Sequence, residues 1–191
     1  MKLVNRLAGI DLYKNCWLYC ENTIKLVEAV AEDVDRELVN YVKPDKSFWH
    51  INLTSTIVDL KSPNPIIHKI VEDYQQVLKE VTKDYYQHYG IVENAYELSG
   101  YHWIKHLEGG HYPDHYDGPT DSGRHINVIL FLNAIEGGTI RFKHHNVTVT
   151  PKPGMMLLFP SNFAYKFSID PITKGNLYMI QTWLHDRHHD S

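Results

Sequence analysis

The amino-acid sequence predicts an α+β domain, with helices in its first half and short strands in its second. Up to Gly90, apolar residues recur with helical spacing; after Gly90, short alternating runs are separated by Gly, Pro, Asn and Asp residues. Helices followed by many strands favour a β-sandwich or barrel that carries helices on one face. The 191 residues, 43% of them hydrophobic, have the size and composition of a single domain over residues 1–191.

Two helices are expected within residues 1–90, which we interpret as a helical support region. The first extends from Asn22 to about Val34, because the Asn22-Thr23 pair is suited to capping a first turn. The second begins at Asn64-Pro65, since Asn is a good N-cap and Pro fits the first helical turn. Its apolar stripe continues until Gly90.

A strand-rich core is expected over residues 91–184. The predicted strands are residues 97–107, 124–132, 138–142, 146–149, 155–159, 164–167 and 177–182. After them, His185, His188 and His189 predict a solvated, His-rich tail over residues 185–191.

Composition and charge exclude several classes of function. The formal net charge is −4 and the chain has no Lys/Arg run, so we expect no nucleic-acid partner. The longest uncharged apolar stretch, around residues 155–159, is too short for a membrane helix, so we expect no membrane partner. The N-terminal residues lack the apolar stretch of a signal peptide and two cysteines make no disulfide framework, which predicts a cytoplasmic protein.

The densest candidate site lies between Gly109 and Gly118. If His115 and Asp117 lie on one strand, their side chains point to the same side and offer an imidazole and a carboxylate to one cation. Taken alone, a His-x-Asp pair is better explained by chance and ordinary turn polarity. Strand alternation upstream would place His106 on the inner face too.

A longer series of motifs surrounds this pair. The run Gly-Gly-x-Tyr-x-x-His-x-Asp at residues 109–117 is followed by an apolar strand, a Gly-Gly turn at residues 137–138 and Asp-Pro-Ile-Thr-Lys-Gly at residues 170–175. Over residues 97–184 this order resembles the Fe(II)/2-oxoglutarate dioxygenases of the prolyl 4-hydroxylase-like branch, and the helix at residues 64–89 fits their supporting helix. The resemblance implies a double-stranded β-helix that hydroxylates a peptide or a small molecule with Fe(II) and 2-oxoglutarate as cofactors.

Members of this family hold iron with two His and one carboxylate. The resemblance makes His115 and Asp117 two of these ligands, but Phe167 stands at the position of the second His. Leu177 stands where the family has a Lys or Arg that binds the far carboxylate of 2-oxoglutarate. The resemblance also places His106 and Asn127 in the pocket for this cosubstrate.

The activity is open between two main alternatives. In the first, the chain is an oxygenase in which His115 and Asp117 hold Fe(II) and another group, such as His106, completes the site. His106 is equally well explained as a core histidine that bonds Asn127 or Asp117.

In the second alternative, the chain is a binding module that does not use 2-oxoglutarate. Burying a carboxylate without a partner is costly, and four apolar side chains are expected to point into the pocket: Phe131, Phe167, Leu177 and Met179. A third hypothesis, zinc or nickel binding by His144-His145, competes with a solvated hairpin turn at that position.

Overall fold

The computed structural model describes residues 1–34, 41–42, 48–52, 65–92, 96–98, 100–118 and 123–186. The described helices are α1 (Cys20–Val34) and α2 (Pro65–Tyr89). The described strands are β1 (Lys2–Leu7), β2 (Ile10–Lys14), β3 (Tyr41–Val42), β4 (Phe48–Asn52), β5 (Tyr96–Leu98), β6 (His102–His106), β7 (Tyr112–His115), β8 (Arg124–Phe131), β9 (Glu136–Gly137), β10 (Ile140–Phe142), β11 (Val147–Val149), β12 (Met156–Pro160), β13 (Phe167–Ile169), β14 (Ile172–Lys174) and β15 (Leu177–Asp186). Within these ranges, no helix is long and apolar enough to cross a membrane.

The strands form two packed sheets. The larger sheet has the order β1-β2-β12-β8-β15-β6-β4-β3, with β5 paired to β15, and the smaller sheet has the order β11-β10-β13-β7. A separate short pair joins β9 and β14. Two facing antiparallel sheets of this kind make the double-stranded β-helix, and the predicted α+β class is confirmed.

Alternation along β8 separates two apolar cores, because successive side chains point to opposite faces of a sheet. Val128 and Leu130 belong to a cluster that includes the buried residues of α2, which we call the helix-side core. Ile129 and Phe131 belong to a cluster between the two sheets, which we call the inner core. The helices therefore cover one face of the larger sheet, and the inner core fills the β-helix.

Helix α2 forms as its sequence predicts. It begins at Pro65, and the residues it buries, among them Ile67, Tyr74 and Val81, lie on one face at helical spacing. Gly90 follows with φ of +66°, the left-handed conformation in which helices commonly end.

The N-terminal region is not purely helical, contrary to the expectation for residues 1–90. Strands β1 and β2 form an antiparallel hairpin across Ala8 and Gly9, whose φ values are +50° and +84°. Two positive φ values are what a two-residue hairpin turn requires. Strand β1 is exposed along most of its length, so its sequence lacks the alternation by which half-buried strands are predicted.

The predicted strand at residues 164–167 is wrong except at its end. A short 3-10 helix occupies residues 163–165, where the Asn162 side chain accepts a hydrogen bond from the Ala164 amide, and β13 begins only at Phe167. The predicted strand at residues 97–107 is divided between β5 and β6.

The prediction of a solvated, His-rich tail that starts at residue 185 is wrong at its first residues. Strand β15 extends to Asp186, and His185 pairs with Glu97 of β5 within the larger sheet. His185 is therefore part of the larger sheet and not of a solvated tail. His188 and His189 lie outside the described residues.

Candidate functional site

His115 and Asp117 meet at the end of β7. His115 is the last residue of this strand, and its Nε2 lies 3.3 Å from Asp117 Oδ1. His115 Nδ1 lies 2.8 Å from the Pro113 carbonyl oxygen, so Nδ1 carries a proton and donates it there. This contact turns Nε2 toward the carboxylate. The two side chains meet, but Asp117 lies just beyond the end of β7 and not on one strand with His115, which was the condition of the sequence-based expectation.

Asp117 is oriented by two side chains of β15. Its Oδ2 accepts hydrogen bonds from Gln181 Nε2 at 2.9 Å and from Trp183 Nε1 at 3.1 Å. Burial by itself raises the pKa of this carboxyl, but the hydrogen bond and charge of His115, the Trp183 hydrogen bond and the charge of Arg124 outweigh burial and lower the pKa below its ordinary value. Asp117 is therefore an anion at neutral pH, with Oδ1 turned to His115.

Phe167 lies directly opposite His115, because the two residues pair in register between β13 and β7. The two ring centroids are 4.3 Å apart, and the Tyr112 ring contacts the imidazole at 4.2 Å. Phe167 is only 3% exposed and packs on Phe159 of the inner core. An aromatic ring thus fills the space beside His115 where the resemblance leads us to expect a second His.

Leu177 is fully buried in the inner core. It is 0% exposed, pairs with His106 of β6, and shares its cluster with Phe131 and Met179. The expectation that Phe131, Phe167, Leu177 and Met179 all point inward agrees with their place in the inner core. A carboxylate that reached Leu177 would lose its water and meet apolar side chains.

His106 is buried and lies near the Tyr112 ring. It is 2% exposed, and its ring centroid lies 6.2 Å from that of Tyr112. Among the residues that the structure describes, no three His, Cys, Asp or Glu side chains are grouped so that they could hold a metal ion. The structure therefore does not bring His106 together with His115 and Asp117 as a third ligand.

The His144-His145 pair lies in a short 3-10 turn between β10 and β11. The His145 ring stacks on Tyr165 with centroids 4.5 Å apart, and its Nε2 lies 3.0 Å from the Ala164 carbonyl oxygen. These contacts join two surface turns, and the described residues near them form no metal-binding group.

The amide groups beside Asp117 have defined orientations. Because an ionised carboxylate only accepts hydrogen bonds, Gln181 must present its Nε2 to Asp117. The same Nε2 lies 3.0 Å from Asn127 Oδ1, which in turn defines the orientation of the Asn127 amide. Asn127 is 0% exposed, and within the described parts of the chain its Nδ2 has no hydrogen-bond partner. A buried donor of this kind needs an acceptor, such as the oxygen of a water or of a ligand.

Arg124 lies at the rim of the site. Its guanidinium stacks on the Trp183 ring, 3.8 Å from the ring centroid, and burial lowers the pKa of Arg124 although the charge of Asp117 raises it. No described side chain or carbonyl accepts a hydrogen bond from this guanidinium. Arg124 and Gln181 were not predicted from the sequence. Their strand positions were the available signal: Gln181 alternates inward with Trp183 along β15, and Arg124 is the first residue of β8.

The part of the chain that matches a known family includes the site residues. Residues 100–185 match the model of the 2OG-Fe(II) oxygenase superfamily. No curated protein sequence matches the chain significantly.

Solved prolyl hydroxylases share the fold. A viral collagen prolyl hydroxylase from Paramecium Bursaria Chlorella virus-1, in a 2OG complex, is 15% identical with a TM-score of 0.69 and covers 94% of this chain and 96% of its own. A Pseudomonas putida prolyl-4-hydroxylase is 16% identical with a TM-score of 0.66, covering 94% and 93%. A prolyl hydroxylase from Trichoplax adhaerens, solved with a hypoxia inducible factor oxygen degradation domain peptide fragment, is 17% identical with a TM-score of 0.64, covering 93% and 84%. The chain therefore has the fold of the solved prolyl hydroxylases, and its residues 100–185 are similar to the 2OG-Fe(II) oxygenase superfamily.

Proposed function

We propose that the chain is a peptide-binding module that keeps the prolyl 4-hydroxylase fold but does not use 2-oxoglutarate. The observation that carries this proposal is the buried Phe167 ring, which lies 4.3 Å from the His115 ring in register with it. A carbon ring has no lone pair for a metal. It also occupies the inner core, so that a water molecule has little room to replace the missing ligand at this position.

The described residues do not fit the cofactors that the superfamily uses in general. His115 Nε2 and Asp117 Oδ1 are two donor atoms where a facial triad needs three. The far carboxylate of 2-oxoglutarate would meet Leu177 in an apolar environment, and an unpaired buried carboxylate costs several kcal/mol. The orphaned Asn127 Nδ2 could donate one hydrogen bond to a ligand, but a neutral amide does not replace a cationic clamp.

The rim of the site supports peptide binding. The Arg124 guanidinium, stacked on Trp183, offers a planar fork of donors beside Asp117. Peptide carbonyl oxygens are suitable acceptors for these donors, and the half-buried guanidinium of Arg124, which lies over the buried Trp183 ring, offers a flat surface to a proline ring. The structure of the Trichoplax adhaerens relative contains a peptide fragment, which makes a peptide the ligand class to test first.

A second candidate function is an oxygenase with a two-ligand metal site. One observation favours it: His115 Nδ1 donates to the Pro113 carbonyl and Asp117 Oδ2 is held by Gln181 and Trp183, so Nε2 and Oδ1 converge. Outer hydrogen bonds of this type orient metal-binding histidines and carboxylates in many proteins.

Thermal unfolding with Mn(II) and 2-oxoglutarate separates the two functions. A ligand that binds only the folded state raises its stability by RT ln(1 + [L]/Kd), so the parent protein should show no rise in Tm with both additions. It should also make no succinate with Fe(II) under air. The double variant Phe167→His/Leu177→Arg serves as the matched control, because it restores a ligand and a clamp together. We expect this variant to bind both additions better than either single variant, with a non-additive gain.

A clear Tm rise or succinate formation in the parent would contradict the proposal, and its loss in His115→Ala would favour the oxygenase.

Titration calorimetry with a proline-rich peptide tests the binding function. We expect the parent to bind the peptide saturably without metal or cosubstrate, and Arg124→Gln to weaken binding by about tenfold or more. Lys143→Gln, on an exposed turn at the 3-10 helix after β10, is the control and should bind like the parent. Binding that appears only with Fe(II) and 2-oxoglutarate would contradict a cofactor-independent module.

A further inference from the structure

A cavity lies on the opposite face of the larger sheet from the His115–Asp117 pair. It measures about 400 Å³ and is lined by the first turns of α1 and α2 and by the segment before α1. Its lining includes Trp17, Leu26, Ile66 and Ile70. This volume is in the range of pockets that bind small molecules, and it is too small for a docked helix.

The aromatic floor of this cavity is held in place before any ligand arrives. Trp17 is 8% exposed, and its Nε1 donates a hydrogen bond of 2.8 Å to Thr23 Oγ1. Thr23 Oγ1 donates in turn to the Tyr19 carbonyl at 2.9 Å. Trp17 also packs edge-on against Tyr74 of the helix-side core, with ring centroids 6.3 Å apart. A wall with this many internal contacts loses little conformational entropy when it binds a ligand.

The mouth of the cavity carries exposed apolar side chains. Leu26 is 41% exposed, Ile66 is 37% exposed and Tyr19 is 68% exposed. Exposed apolar residues are unremarkable when scattered, but a cluster of them around a concave pocket marks a binding site.

The charges at the rim argue for a neutral ligand. Lys69 and Asp73 both line the cavity, and they pair with each other at 2.7 Å, so the rim offers no net charge. Asn22 is the remaining polar side chain at the rim that pairs with no described residue, and its amide can both donate and accept one hydrogen bond. A charged ligand would lose water on entry without gaining an ion pair.

We propose that this cavity binds a neutral, flat, apolar molecule of one or two rings that stacks on Trp17 and presents at most one polar group to Asn22. The site is independent of the peptide-binding function, because the larger sheet separates it from the β-helix interior.

Indole is a suitable probe, with binding measured on the full chain by ligand-observed NMR and thermal shift. We expect saturable binding below about 1 mM for indole, and binding at least about tenfold weaker for tryptamine and indole-3-acetate, which add a positive and a negative charge. Leu26→Trp places a ring across the mouth at an exposed helix position and should abolish binding. Val92→Trp adds the same ring at a 75% exposed position beyond the other end of α2 and should leave binding unchanged.

Three results would overturn the proposal. They are no saturable indole binding by the parent, equal binding of the charged analogues, and unchanged binding in Leu26→Trp. If Leu26→Trp does not fold, Ile66→Trp on α2 blocks the same mouth and is judged by the same outcomes.

Discussion

The Phe167 ring packs against Phe142, Phe159 and His115, with centroid distances of 6.0, 5.0 and 4.3 Å. Offset and edge-on aromatic contacts each add to the stability that comes from burying the ring. A histidine at this position would replace apolar contacts with two ring nitrogens that need partners. Packing of the inner core and ligation of a metal therefore compete for this one position.

This competition predicts the behaviour of Phe167→His. Without metal, we expect the variant to be less stable than the parent by about 2–4 kcal/mol, because a buried aromatic contact is lost and polar atoms are left unsatisfied. Mn(II) should recover much of this loss, since a ligand at 100 times its Kd adds about 2.7 kcal/mol. Urea unfolding with and without Mn(II) measures both effects.

Phe167→Leu is the control for Phe167→His, since it removes the ring without adding a ligand and should gain nothing from Mn(II). Equal stabilisation of the parent and Phe167→His by Mn(II) would place the metal elsewhere.

The site was predictable in part. His115 and Asp117 are only two positions apart, so their side chains meet locally although Asp117 lies just beyond the end of β7. Gln181 lies 64 positions from Asp117 in the chain, and its contact depends on how β15 pairs with β8. Pairing between distant strands leaves no local pattern in the sequence, so the residues that orient the carboxylate could not be predicted. The metal roles of His115 and Asp117 and the cosubstrate roles of His106 and Asn127 stay predictions.

Among the elements, the β1–β2 hairpin is joined to α2 by a polar network. Arg6 of β1 binds both Asp11 of β2 and Asp84 of α2. Tyr13 donates a hydrogen bond of 2.7 Å to Asp84, and Tyr89 donates one of 2.8 Å to Asp11. These contacts fix the hairpin, and with it the edge of the larger sheet, against the helix.

Asp84 gives this network a dependence on pH. The Tyr13 hydrogen bond lowers the pKa of Asp84 most, burial raises it, and the hydrogen bond and charge of Arg6 lower it, so that the net pKa is below its ordinary 3.8. A carboxyl whose pKa is lower in the folded state stabilises the fold above the unfolded pKa, and this stability is lost as the pH falls through the folded pKa. Asp84→Asn should therefore cost about 0.5–1 kcal/mol at pH 7, a modest amount because the side chain is 45% exposed.

Urea unfolding from pH 7 down to the lowest pH at which both proteins are folded measures this effect. The difference between Asp84→Asn and the parent should shrink as the pH falls below 3.8. Asp73 lies on the same helix and, among the described residues, pairs only with the exposed Lys69. The control variant Asp73→Asn should therefore change the free energy of unfolding little at any pH. A constant difference for Asp84→Asn across this range would show that its charge is not the source of the stability.

Elements whose sequence pattern lies within the segment itself were predicted better than the others. Helix α2 was predicted with nearly correct ends, because its periodic apolar stripe indicates a helix and Gly90 marks its end without any contribution from distant residues. The hairpin was missed because β1 is an exposed edge strand, and its turn at Ala8-Gly9 is not one of the usual Asn-Gly or Asp-Gly pairs. Residues 164–167 were assigned to a strand because their apolar pattern fits one, whereas the cap from Asn162 favours a tight turn.

At the scale of the whole molecule, the larger sheet joins the two cores into one unit. β8, β12 and β15 each contribute alternate residues to the helix-side core and to the inner core, as Leu130 and Phe131 of β8 do. A sheet that is shared in this way cannot lose one core while the other keeps its packing surface, because the same backbone hydrogen bonds support both faces.

This sharing predicts a single cooperative unfolding transition for the chain. Ile67→Val trims the helix-side core and Ile140→Val trims the inner core, at side chains that are 2% and 0% exposed. Each should cost about 0.5–1.5 kcal/mol and lower the midpoint of the same transition, whether it is followed by far-UV circular dichroism, which reports mainly the helices, or by tryptophan fluorescence. Because the two sites share no contact, the double variant should lose the sum of the two costs to within about 0.5 kcal/mol. Two separate transitions, with Ile67→Val shifting only the circular dichroism signal, would instead make residues 1–90 an independent folding unit and contradict the single domain that the sequence predicts.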